Sequence, residues 1–259
     1  MDGIPYIQSV VASIARVAIR GGIGIVEQLH GTGFFISKSG HLLTARHVIE
    51  KGRVDCEQND GFLAFFPKAA DGTSSRCLPL ETVEFAPEPF DVALCQVQAE
   101  SQSFYRLCTA EVAPWQEVAS VGYPMTIVTQ TSATYRVHTR FHRGYIQRLV
   151  AEGDLIIGPN PPAFEVSFPV TQGMSGAPLF IYRPDGDLLI GVCVGSVQSS
   201  VVAYEDTQIE SQGTKYVERV SRIEEIGIAH NISALASWQP KILGGATLAE
   251  LSERCWVAI

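Results

Sequence analysis

The feature that most constrains this chain is a succession of short apolar, β-branched segments broken every few residues by turn chemistry. Residues 15–19, 33–36, 42–44, 62–66, 92–97 and 118–122 each have the length of a strand and are too short for a stable helix. Ser39-Gly40, Asn59-Asp60-Gly61, Asp71-Gly72 and Pro87-Glu88-Pro89 supply the reversals between them. The second half repeats the style at 145–150, 154–157, 163–166, 177–182 and 188–197, with Arg183-Pro184-Asp185-Gly186-Asp187 as a hairpin turn. The pattern predicts antiparallel strands closed into two barrels or sandwiches, joined by a crossover over 99–114. After about Tyr204 the character changes: 205–213 reads as a polar loop, and 220–228, 233–238 and 247–255 carry helical spacing. Residues 1–204 therefore read as the strand-built domain, and 205–259 as a loop and helical extension packed on the second barrel. The leading segment, 1–16, fits either a short helix or a strand.

Charge excludes some classes of partner. A formal charge of -8 without a long basic run argues against a nucleic-acid surface. Arg136, Arg140, Arg143 and Arg148 are the nearest approach to a basic cluster, and the alternation around them reads as the solvated face of a strand. No segment has the uninterrupted apolar length of a membrane span. Asp2 stands where a secretory leader would carry basic charge. The six cysteines form no Cys-x-x-Cys pair, so no zinc site, and no other cofactor, is expected. Cys95 and Cys193 lie in apolar strand patterns as buried thiols, which favours a reducing, cytoplasmic compartment, with the periplasm as the alternative. A Cys56–Cys77 bridge stays open.

One motif carries chemistry. Gly173-Met174-Ser175-Gly176-Ala177-Pro178 sets a serine among glycines that let the main chain bend sharply and aim N–H groups at a developing oxyanion. Alone, such a string is more often a turn than a nucleophile, and its partners must decide. His47 follows a short apolar strand and opens what reads as a brief helix, 46–50. Asp91 heads an almost wholly apolar strand, where a carboxylate is costly unless paired. His30, His41, His138, His142 and His230 have no such context and read as ordinary core or surface histidines. The order His, Asp, Ser disfavours an α/β-hydrolase, which places its acid and histidine after the serine.

These blocks together resemble the trypsin-like, chymotrypsin-fold serine peptidases, particularly the non-zymogen bacterial branch that includes the HtrA-type proteases. The resemblance rests on Gly31-Thr32-Gly33-Phe34-Phe35-Ile36 with Gly40-His41-Leu42-Leu43-Thr44-Ala45-Arg46-His47-Val48, on Phe90-Asp91-Val92-Ala93-Leu94, on Val121-Gly122-Tyr123-Pro124 and Arg143-Gly144-Tyr145-Ile146, and on the Ser175 loop. It covers roughly 12–197 and implies an all-β fold of two six-stranded antiparallel barrels with C-terminal helices. It further implies Ser175 as nucleophile, His47 as base, Asp91 as orienting acid and the amides of Gly173 and Ser175 as oxyanion hole. Pro169, Val170 and Thr171 would form the base of the primary specificity pocket, and Val194, Gly195 and Ser196 its wall. None is charged, so small or medium apolar P1 residues are expected in a protein or peptide substrate. Met174 replaces the aspartate that zymogen-activated relatives pair with a freed N-terminus, so that activation route is not expected. The competing reading is a protease-shaped binding module, or a latent protease switched on by a protein partner.

Overall fold

The computed structural model describes residues 3–69, 74–127, 129–130, 135–155, 158–183, 186–209 and 215–254. A helix, α1 (Gly3–Val10), leads directly into the first sheet, so both readings of the leading segment hold in part. That sheet contains β1 (Val11–Arg20), β2 (Ile23–Phe35), β3 (His41–Thr44), β4 (Phe62–Phe66), β5 (Leu78–Pro79), β6 (Thr82–Phe85) and β7 (Ala93–Gln96), in the order β5-β4-β1-β2-β3-β7-β6. The second contains β8 (Arg106–Leu107) and β9 (Glu117–Gly122). After a small two-stranded sheet of β10 (Thr129–Gln130) and β11 (Tyr135–Arg136), it continues with β12 (Arg140–Val150), β13 (Ala163–Val166), β14 (Pro178–Ile181), β15 (Leu188–Ile209) and β16 (Lys215–Asn231). Pairing of β14 with both β9 and β15 closes six strands into a ring, with β8 added alongside β15. The first sheet has seven strands and is not closed among the described residues, so the two-barrel architecture is all-β with one ring and one curled sheet.

Apolar alternation explains the layers. The first core packs Ile14, Phe34, Leu42, Leu43, Phe65 and Leu94, all fully buried, with Phe35 and Phe65 edge to face at 5.0 Å. The second packs Ile146, Phe164, Met174 and Leu179 inside the ring. Arg140 to Tyr145 pairs with β9, and Phe141, Arg143 and Tyr145 are exposed, as a solvated strand face requires.

Four expectations are corrected. The helical spacing at 220–228 belongs to strand β16, whose residues pair one by one with β15, so the cross-strand ladder overrides a pattern compatible with either element. Residues 205–209 continue β15 rather than forming a loop, while 210–214 lie outside the described residues. Asp154 closes a turn, its N–H donating to the Ala151 carbonyl at 3.2 Å, and Leu155 N–H donates to Asn160 Oδ1 at 2.8 Å, so neither lies in a strand; residues 156 and 157 lie outside the description. The C-terminal segment keeps only a 3-10 turn (Ile232–Leu235), a second one (Lys241–Leu243) and α3 (Leu248–Arg254). It packs where the two halves meet: Ile232, Leu235 and Leu248 join a cluster that also holds Phe180, Leu189 and Val192 of the second sheet, while Ile242 N–H donates to Glu84 of β6 at 3.3 Å. The Asp71-Gly72 turn, Pro184, Asp185 and Cys255 lie outside the described residues. Cys56 and Cys77 are both free thiols. Among the described residues no helix is long and apolar enough to cross a membrane.

Candidate active site

Antiparallel pairing brings the base and acid candidates together. Thr44 at the end of β3 lies opposite Ala93 at the start of β7, so the residues just beyond each strand, His47 and Asp91, meet at the same sheet end. Helix α2 (Arg46–Asn59) begins there, longer than the brief helix expected, and buries Val48 and Ile49 against the sheet. Asp91 Oδ1 accepts from the His47 backbone N–H at 2.8 Å, and Oδ2 faces His47 Nδ1 at 2.5 Å. Two contacts from one carboxylate fix both the ring and the turn that carries it. Burial raises the Asp91 pKa, but the hydrogen bonds and charge of His47 outweigh it, and the net shift is downward.

The serine comes from the other sheet, in the loop between β13 and β14. This loop is tied to β2: Thr32 N–H donates to the Ser175 carbonyl at 2.9 Å, and Thr32 Oγ1 donates to the Gly173 carbonyl at 2.7 Å. The same hydroxyl accepts from Tyr123 N–H at 3.0 Å, so one fully buried threonine joins three segments. Nothing about Thr32 in the sequence marked it for this role except the glycines on both sides. Gly176 has φ +85, and a Cβ there would stand 2.1 Å from the Thr32 carbonyl; only glycine fits.

The amides of the loop divide into two sets. Met174, Gly176 and Ala177 N–H donate to Thr171, Cys193 and Met174 carbonyls respectively. Gly173 and Ser175 N–H have no protein partner among the described residues. The Gln172 carbonyl accepts from Met125 N–H at 2.8 Å, which turns the Gly173 N–H of the same trans peptide the opposite way. Two free amides beside a serine hydroxyl have the chemistry of an anion cradle. Met174 between them is fully buried in the second core.

Ser175 Oγ donates to the Val194 carbonyl at 3.3 Å, and no hydrogen bond joins it to His47. The pocket candidates also gather: Ser196 Oγ accepts from Val170 N–H at 2.7 Å and contacts the Val170 carbonyl at 3.2 Å, crossing from wall to base. Among the described residues Thr171 Oγ1 is buried without a partner, whereas Gly195 faces open space.

One histidine the sequence reading set aside belongs here. His230, on β16, is buried, and its Nδ1 lies 3.1 Å from the Asp91 backbone N–H. Because that group only donates, Nδ1 must be the acceptor and the ring proton sits on Nε2. Burial drives the His230 pKa down; the Asp91 carboxylate opposes this, His47 adds to it, and the value falls to about 4. Chain distance hid the contact: 139 residues separate the partners. Among the described residues no cluster of His, Cys, Asp and Glu is suited to a metal.

Two strand-built halves with a His–Asp pair on one and a glycine-flanked serine on the other define the architecture of a chymotrypsin-like peptidase. The family model of the trypsin-like peptidase domain matches residues 31–192, and the chain belongs to that family. It is 27% identical over 229 residues to the uncharacterized protein y4bJ of Sinorhizobium fredii (strain NBRC 101917 / NGR234); this covers 88% of the chain but 32% of that relative's length. Among solved structures it resembles the MamO protease domain from Magnetospirillum magneticum, with a TM-score of 0.57 and 16% identity over 89% of this chain and 95% of that one. It also resembles the HtrA-type protease AlgW with decapeptide, at TM-score 0.56 and 13% identity, covering 88% and 62%. These likenesses show the fold.

Proposed function

We propose that the chain is a serine endopeptidase acting through an acyl-enzyme. The observation that carries this reading is the convergence of the doubly bonded His47–Asp91 pair, the Ser175 hydroxyl and the two unpartnered amides of Gly173 and Ser175. In this reading His47 Nε2 takes the Ser175 proton as Oγ attacks the scissile carbonyl, and Asp91 holds the Nδ1–H tautomer and balances the imidazolium. The Gly173 and Ser175 amides take the oxyanion, His47 protonates the leaving amine, and water repeats the sequence to release the acid. The acyl side of the peptide pairs with the Val194–Gly195–Ser196 edge. The Ser196 hydroxyl across Val170 makes the pocket shallow, so small P1 side chains are favoured.

A latent resting state is the second reading, favoured by the Ser175 bond to Val194 in place of His47. Leaving that rotamer costs one long neutral hydrogen bond, about 0.5–1.5 kcal/mol, which substrate binding readily offsets. Fluorophosphonate labelling compared with Ser175→Ala, together with mass-spectrometric cleavage of a peptide library, tests both. Labelling of the wild type alone with cleavage after small residues is expected. Labelling only after peptide or lysate is added supports latency, and none under any condition rejects the peptidase.

A further inference from the structure

Strand β15 does not stop where the ring stops. Beyond Val197 and Ile226, β15 and β16 pair among the described residues only with each other, out to Ile209 and Lys215, as a two-stranded ribbon. Isolated ribbons are marginal in water, and this one exposes Val201, Val202, Tyr204, Val220 and Ile223. The edge of β15 opposite β16 carries no strand after Val192 among the described residues. Exposed edges are normally guarded by charge or proline. Here Val194-Gly195-Ser196-Val197-Gln198-Ser199-Ser200-Val201-Val202 has neither, whereas β16 carries Glu218, Arg219, Arg222, Glu224 and Glu225.

We propose that this unguarded edge is a β-augmentation surface for an extended, uncharged polypeptide segment on the amino-terminal side of the scissile bond. The inference rests on the peptidase reading for its starting point, the Val194–Ser196 edge. The Val194 carbonyl reaches Ser175 Oγ, so it opens toward the site, and register with β16 is unbroken from Gly195 to Val202. By strand alternation Ser196, Gln198, Ser200 and Val202 turn their N–H and C=O groups to the same open edge. β15 runs away from Ser175, so a partner strand pairing antiparallel runs toward it. That is the polarity of substrate residues preceding the cleaved bond. The register shift between Val202 and Tyr204, followed by Glu205 and Asp206, ends the regular edge, which sets a reach of about nine residues.

The test uses fluorescent peptides sharing one cleavage sequence, with uncharged amino-side extensions of three, six, nine and twelve residues. Binding to Ser175→Ala protein is followed by anisotropy, and hydrolysis by the wild type in parallel. Affinity should rise about tenfold or more from three to nine residues and level off by twelve. The same extension on the carboxyl side should add nothing, and N-methylation of alternate peptide residues should remove the gain. Ser200→Pro, which removes an open-edge donor where proline is tolerated, should collapse the long-to-short affinity ratio. A ribbon shortened by joining Ser199 to Glu224 through Asn-Gly should do the same, and covers the case that the proline variant misfolds. A flat length dependence, or a gain that survives in the shortened ribbon, overturns the proposal. So does sedimentation showing a dimer that Ser200→Pro dissolves, since a second copy would then hold the edge. Length-dependent binding without hydrolysis by the wild type would reject the peptidase reading and leave the ribbon proposal standing.

Discussion

The buried neutral His230 should make this fold acid-labile in a defined window. Its pKa falls from 6.5 to about 4 on folding, because burial strips the ring of water while Nδ1 is committed as acceptor to Asp91 N–H. Above the ordinary value both folded and unfolded forms are neutral, and the full stability is present. As pH falls from there, the unfolded chain takes up a proton that the folded chain refuses, and stability drops by about 1.4 kcal/mol per pH unit. The loss reaches about 2 kcal/mol near pH 5 and about 3 kcal/mol once the pH is below the folded value. Burial also lowers the pKa of His30, His41 and His142, which adds losses of the same sign, so the contribution is read against a variant. Asp91, whose pKa is lowered, contributes a loss only at more acidic pH, outside the window. In His230→Asn, Oδ1 replaces Nδ1 as acceptor without a titrating group. Urea unfolding of wild type and variant between about pH 7.5 and 5 should show the gap between them changing by about 2 kcal/mol in favour of the variant at low pH. Parallel pH profiles would refute the reasoning. His230→Leu, which also strands the buried Asp91 N–H, should lie about 1–3 kcal/mol below His230→Asn at every pH.

Ser196→Gly removes the hydroxyl that crosses to Val170, so the ratio of kcat/KM for Phe over Ala at P1 should rise about tenfold or more, as worth one to three kcal/mol of pocket space allows. An unchanged ratio would show that other groups limit the pocket. Gly173→Ala places a Cβ 2.4 Å from the Tyr123 carbonyl at φ +93, which forces the peptide out of position. A fall in kcat of about 10²–10³ with little change in KM is expected from single-turnover and steady-state kinetics. Near-normal kcat would mean that this amide does not hold the oxyanion.

The sequence by itself determined the strand-and-turn style, the all-β class and the family, because alternation, turn residues and the blocks around His47, Asp91 and Ser175 are local signals. It also named the groups that the structure brings together at the meeting of the two sheets. What it misread was ambiguous locally: Val220, Ile223 and Ile226 fit a helix period, and only pairing with β15 makes them strand. The C-terminal turns seek whichever apolar surface is left uncovered, and that surface lies where the two halves meet. Thr32 and His230 were invisible for the same reason, since a buried hydroxyl or imidazole acquires its role from donors and acceptors that lie 141 and 139 residues away. Only tertiary structure decided that the Ser196 hydroxyl bonds across to Val170, that Ser175 rests on Val194, and that β15 carries its open edge far beyond the ring. Each depends on which backbone groups remain unpaired after the sheets close.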